Sequence, residues 1–209
     1  MQEFINMLIE NHKAFEQPVR ETPGLIPGYR AELRIKLIEE EKDELREAWE
    51  KGDELNFPKE ICDLVYVVAG TCVEYGLYDF GTYEENIKEF NPVLDSYEPA
   101  SFRTILGIEG NIKRALAVID ENSDIEKIEK ALALMFLACY DLIVDSGLSN
   151  VFPELFEAVH KSNMTKLDDN GKPIISESGK YLKGPNYQAP DLLSILKGKN
   201  KLNKNYMDY

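Results

Sequence analysis

Two pairs of acidic residues constrain this chain more than any other feature in it. Glu41 and Glu44 stand three apart in Leu37-Ile-Glu-Glu-Glu-Lys-Asp-Glu-Leu45, and Glu60 and Asp63 repeat that spacing in Glu60-Ile-Cys-Asp63, after a break at Gly52-Asp53. Stepping about 100° per residue from Glu41 places Leu37, Ile38, Leu45, Ala48 and Trp49 within roughly 80° on either side of it. Glu41 therefore lies in the middle of an apolar helix face. Glu44 falls about 60° away and Glu40 about 100° away at the edge, whereas Glu39, Asp43, Glu50 and Arg46 occupy the opposite, solvated side.

The same count on the following segment sets Glu60 and Asp63 beside Leu64, Val67 and Thr71, on a stretch that is apolar nearly all round from Ile61 to Val73. Such a helix is predicted to be buried. An ionised carboxylate left unpaired there costs several kcal/mol, so a cation must meet it. No Lys or Arg lies between Ile61 and Lys88. Four carboxylates converging from two consecutive helices suit a hard divalent ion, Mg²⁺ or Mn²⁺, which takes carboxylate, water and phosphate oxygens.

The pattern Glu40-Glu41-x-x-Glu44 followed by Glu60-x-x-Asp63, with Leu-Val-Tyr-Val-Val directly after the Asp, resembles the all-α nucleoside triphosphate pyrophosphohydrolases. This is the MazG-like superfamily, which also holds phosphoribosyl-ATP pyrophosphohydrolase and the dimeric dUTPases. The resemblance runs from about Phe15 to Gly76, and more loosely over His160 to Leu192. It implies a four-helix-bundle-type core and Mg²⁺-dependent cleavage of a nucleoside triphosphate to the monophosphate and pyrophosphate. Glu41, Glu44, Glu60 and Asp63 then become the metal ligands, and Glu40 either the general base or a further ligand.

The composition is compatible with that chemistry. At 209 residues and 44% apolar content the chain can form one domain with a substantial core. A formal charge of −14 speaks against nucleic-acid binding, which needs clustered Lys and Arg. It is no obstacle to a phosphate-bearing small substrate, because ions bound at the acids reverse the local field. Cys62, Cys72 and Cys139 are three cysteines in apolar stretches without framework spacing, as expected of reduced thiols. The N-terminus lacks a signal-peptide pattern and no apolar run reaches membrane-span length. The expectation is a cytoplasmic protein with no membrane partner.

Helical periodicity predicts helices over 3–16, 29–51 and 56–76, a short one around 84–90, and further ones over 102–119, 125–144 and 153–163. Sustained period-2 alternation is missing, so the body, residues 1–164, is expected to be all-α. Arg34 falls about 20° from Glu41, two turns earlier, as either an ion-pair partner or a phosphate contact. A weak repeat lays Ile108-Glu109 on Ile38-Glu39. On that alignment Gly110, Asn111 and Arg114 replace Glu40, Glu41 and Glu44, while Ala131 and Leu134 replace Glu60 and Asp63. The second hairpin is then either a degenerate copy retained for packing or a chance likeness. Dimers are usual in the resembled superfamily; a fused second hairpin would make a monomer sufficient.

Residues 165–209 read as an ordered C-terminal loop or small β-hairpin and a tail, packing on the core, with turn signals at Asp168-Asp-Asn-Gly171 and Glu177-Ser-Gly179. From His160 onward, Lys161, Lys166, Lys172, Lys180 and Lys183 gather against the acidic background. Either they contact a triphosphate tail or the segment is a polar cover over the bundle. The stretches His160-x-Ser-Asn-Met-Thr-Lys166 and Gly179-Lys-x-x-Lys-Gly-Pro185 are similar to those of longer MazG-like proteins, which implies substrate contacts from His160, Asn163, Lys166 and Lys183. By the same resemblance the base stacks on aromatics, with Phe15, Trp49 and Tyr187 as candidates that core packing would equally explain. Two rivals use the same acids. A di-iron bundle wants Glu-x-x-His pairs, and neither His12 nor His160 lies in a motif. A non-catalytic acidic module, sensing nucleotides or binding protein, would make the carboxylates structural.

Overall fold

A computed structural model describes residues 2–78, 105–176 and 181–198. Seven helices lie among them: α1 (Gln2–Ala14), α2 (Gly28–Glu50), α3 (Asn56–Tyr75), α4 (Ile105–Glu121), α5 (Ile125–Asp145), α6 (Phe152–Met164) and α7 (Leu192–Gly198). The fold is all-α, as the periodicity predicts. Helix boundaries agree to within a few residues, and α7, which seats Leu192 and Leu196 in the core, is an addition. The short helix expected near 84–90 lies outside the described residues.

Helix α3 is the hub, packing against α1, α2, α5 and α6. Its sequence explains this role. Ile61, Cys62, Leu64, Val68, Ala69, Cys72 and Val73 are fully buried on one half of the helix, and Tyr66, Gly70, Thr71 and Glu74 are buried on the other, so it needs neighbours all round. Local signals fix its ends. The Asp53 carboxylate accepts the amides of Leu55 and Asn56 at 3.3 and 2.9 Å, and Pro58 sits in the first turn, where no intrahelical donor is required. At the other end Gly76 takes the left-handed conformation, φ 71°. A Cβ there would collide with the Thr22 carbonyl.

Helices α2 and α3 form one hairpin, and α4 and α5 form a second beside it. Asp124 caps α5 by accepting the amides of Glu126 and Lys127. In this second hairpin Ala131 and Leu134 are core residues, 6% and 3% exposed. Asn111 is buried as well, accepting from Arg114 at 3.4 Å. The positions laid on Glu60 and Asp63 are thus filled by packing side chains, while Arg114, laid on Glu44, is exposed.

At the far end of α2 from the acids, Arg30 and Arg34 meet Glu74 of α3. Arg30 forms a two-point ion pair with Glu74, and Arg34 Nη1 lies 3.7 Å from the same carboxylate. Arg34 also donates to Thr71 Oγ1 at 2.9 Å and to the Val67 carbonyl. Gly70 allows α1 to approach here, since an added Cβ would lie 3.0 Å from His12 Nε2 and 2.8 Å from Arg34 Nη2. Burial and then Arg34 push the His12 pKa down to about 3. The neutral ring donates Nδ1–H to the Pro18 carbonyl at 2.8 Å.

Of the two forms expected at the C-terminus, the described residues take that of an ordered loop, pinned by two isolated antiparallel bridges, Leu167 to Pro173 and Ile175 to Tyr181. The turn at 168–171 forms as its residues dictate: Asp168 accepts the amides of Asn170 and Lys172, each at 2.8 Å, and Gly171 has φ 72°.

Candidate active site

Glu41, Glu60 and Asp63 converge. One carboxylate oxygen from each lies within 4.8 Å of the others. Glu41 comes from the middle of α2, Glu60 from the first turn of α3 and Asp63 from the next turn. Glu60 is 3% exposed, and its Oε2 is buried without a hydrogen-bond partner. Three converging carboxylates, one of them with a buried oxygen that lacks a hydrogen-bond partner, are a donor set suited to a hard divalent cation. Glu44 is exposed and outside the three-oxygen set, yet its charge acts on Glu41 and Glu60. Glu40 is half-buried on the same helix.

The electrostatics record the crowding. Burial first, and then the charges of Asp63, Glu44 and Glu60, push the Glu41 carboxyl up to about 8. Burial also raises Glu60, although Lys59 pulls against it. Lys59 is the cation that elimination from the sequence overlooked. It lies one residue before Glu60 and four before Asp63, just outside the Lys- and Arg-free stretch. Its Nζ is 2.9 Å from Glu60 Oε1 and 2.7 Å from Asp63 Oδ2. The premise that only a divalent ion can meet these acids is therefore corrected, since a side chain meets two of the three. The i, i+4 relation of Lys59 to Asp63 was a readable signal for it.

The other candidate residues divide. Lys166 is brought toward the acids; burial lowers its pKa, and the charges of Asp63 and Glu41 oppose that shift. His160 and Asn163 of α6 both engage Tyr66, one turn beyond Asp63. The Tyr66 hydroxyl is 3.0 Å from His160 Nδ1 and is hydrogen-bonded by Asn163. His160 Nε2 faces Glu10 of α1 at 3.4 Å, but burial outweighs this acid and lowers the imidazole pKa. Tyr66 and Glu10 carry no motif of their own and are found only through the fold. Lys183 sits 4.5 Å above the Tyr187 ring. Arg34 is apart from the acids, held by Thr71, Val67 and Glu74. Phe15 is buried edge-on against Tyr181 at 5.0 Å, and Trp49 packs on the core.

A helical bundle whose adjacent helices each lend carboxylates to one shared pocket defines a class of all-α proteins with an acidic, cation-type centre. Residues 8–91 match the family model for phosphoribosyl-ATP pyrophosphohydrolase, so this segment is similar to the MazG-like, phosphoribosyl-ATP pyrophosphohydrolase-like superfamily of nucleoside triphosphate pyrophosphohydrolases. The matched segment contains both acidic pairs. No curated protein and no solved structure gives a significant match. The family supports a pyrophosphohydrolase-type nucleotide hydrolase, and its members are typically dependent on a divalent metal. No helix among the described residues is long and apolar enough to cross a membrane.

Proposed function

We propose that this protein is a Mg²⁺- or Mn²⁺-dependent nucleoside triphosphate pyrophosphohydrolase, converting a (deoxy)nucleoside triphosphate and water to the monophosphate and pyrophosphate. The observation that carries the reading is the convergence of Glu41, Glu60 and Asp63, one of whose carboxylates, Glu60, keeps a buried oxygen without a hydrogen-bond partner. These three hold the ion, with Glu44 reaching in from the rim. When bound there, the ion supplies Lewis-acid neutralisation of the phosphate chain. Glu40, at the edge of the same helix face, accepts a proton from the attacking water. Lys166 and Lys183 bring positive charge to the phosphates, and His160 and Asn163, held by Tyr66, supply polar contacts to the rest of the nucleotide. In this reading residues 1–164 form the hydrolase core, residues 165–209 cover its open end, and the enzyme works in the cytoplasm on the nucleotide pool, as a monomer or a homodimer.

Lys59 gives the rival reading its one specific support, because a side chain that neutralises Glu60 and Asp63 is also what a purely structural acid cluster would have. Glu60→Gln separates the two. Pyrophosphate release from a panel of nucleoside triphosphates with Mg²⁺ is expected to fall about 10²-fold or more, with helical circular dichroism retained. Turnover equal to that of the parent protein refutes the site, and a parent inactive on the whole panel favours the non-catalytic module.

A further inference from the structure

We propose that Lys59 is a resident counter-cation of the acidic pocket, a side chain that holds the place of the divalent ion and must swing out when the ion arrives. The inference rests on the metal-centre reading above and adds to it a built-in competitor for the metal. Three observations carry it. The Lys59 ammonium bonds Glu60 Oε1 at 2.9 Å and Asp63 Oδ2 at 2.7 Å, so it sits on two of the three residues whose oxygens converge. A divalent ion binds carboxylate oxygens at about 2.0–2.2 Å. An ion that took the two oxygens the ammonium holds would stand within roughly 3–4 Å of it, too close for two cations to share. Occupancy of those oxygens is therefore exclusive.

Lysine is also an incomplete occupant. It engages one oxygen each of Glu60 and Asp63, leaves Glu60 Oε2 buried without a partner, and makes no ion pair with Glu41, the third residue of the cluster. One doubly charged ion would satisfy all three residues. Finally, Lys59 is built to leave. Its side chain is 33% exposed while that of Glu60 is 3% exposed, and its flexible four-carbon stem starts from the first turn of α3. The ammonium can reach water by side-chain rotation alone, with the helix unmoved. The arrangement keeps the acids neutralised in the metal-free protein and lowers metal affinity, because each ion bound must first break the lysine pair.

The test is Mn²⁺ binding to the full chain without nucleotide, followed by electron paramagnetic resonance at pH 8.5, where protons compete least. Lys59→Met is expected to bind Mn²⁺ about tenfold more tightly than the parent, and Lys59→Arg, which keeps the charge, to stay near the parent. Unchanged or weaker binding in Lys59→Met, with the parent still binding, overturns the competitor role and leaves the metal centre standing. Absence of binding in the parent and in both variants overturns the metal centre and the lysine role together. A readout on the unmutated protein guards against a variant that fails to fold. Acylation of Lys59, followed by peptide mass spectrometry, is expected to rise about threefold or more as Mn²⁺ loads and frees the amine, and no rise on saturation with Mn²⁺ refutes the proposal.

Discussion

The raised Glu41 carboxyl makes a prediction about stability that runs against the usual effect of deleting an active-site group. In the unfolded chain Glu41 titrates at its ordinary value, 4.5, and in the folded metal-free protein at about 8. Between these values the folded state holds a proton that the unfolded state has released, so stability falls as pH rises across that window and the loss is complete above 8. Taken alone, the displacement corresponds to roughly 4–5 kcal/mol. Glu60, whose carboxyl is also raised, is coupled to Glu41, so roughly 2–4 kcal/mol is the expected share. Glu41→Gln, close in shape to the protonated acid, removes the penalty. In EDTA the variant should match the parent near pH 4.5 and exceed it progressively toward pH 8.5, where the gain corresponds to about 5–10 °C in Tm for a chain of this size. Urea unfolding at both pH values measures it, and Mn²⁺ should stabilise the parent at pH 8.5 while stabilising the variant less. A variant no more stable than the parent at pH 8.5, or a difference that does not change with pH, would refute the electrostatic account of the pocket.

Two further outcomes probe the frame that carries the site. Leu134→Asp buries a carboxylate at a position 3% exposed and without a cation built for it; the expected loss is about 3–5 kcal/mol in urea unfolding, with Mn²⁺ affinity at the α2–α3 pocket unchanged in the folded fraction. Gly76→Ala places a Cβ against the Thr22 carbonyl on a residue at φ 71°, and should cost about 2 kcal/mol or more by the same measurement.

The helices and the acidic pocket were legible because both are written in short-range periodicity. Burial of α3 follows from apolar residues on every face, and the inward turn of Glu41 follows from its angular distance to Leu37, Leu45 and Ala48. Side chains that meet across helices were legible only where a motif announced them. Tyr66 reads as one more core aromatic until α6 brings His160 to its hydroxyl. Arg34 shares a face with Glu41 on a helical wheel, yet two turns along the axis is about 10 Å. That distance delivers it to Glu74 at the other end of the helix. An angular count ranks faces and ignores height, so it collected into one neighbourhood two ion clusters that the fold keeps apart.

Lys59 shows what elimination from sequence leaves out. A search for cations within the buried segment, Ile61 onward, treats burial of the backbone as burial of the charge. A lysine in the first turn of α3 has its Cα at the rim and an ammonium several ångströms away, and the Cα–Cβ bonds of a helix incline toward its N-terminus. A basic residue at the mouth can therefore serve acids at the floor and retreat to water when something better arrives. The same geometry lets a cluster acidic enough to suit a divalent ion keep two of its three acids paired with a side chain of their own helix. A pocket with Glu41, Glu60 and Asp63 and no Lys59 would bind its metal more tightly and stand less firmly when empty, and the α3 N-terminus is where that balance is set.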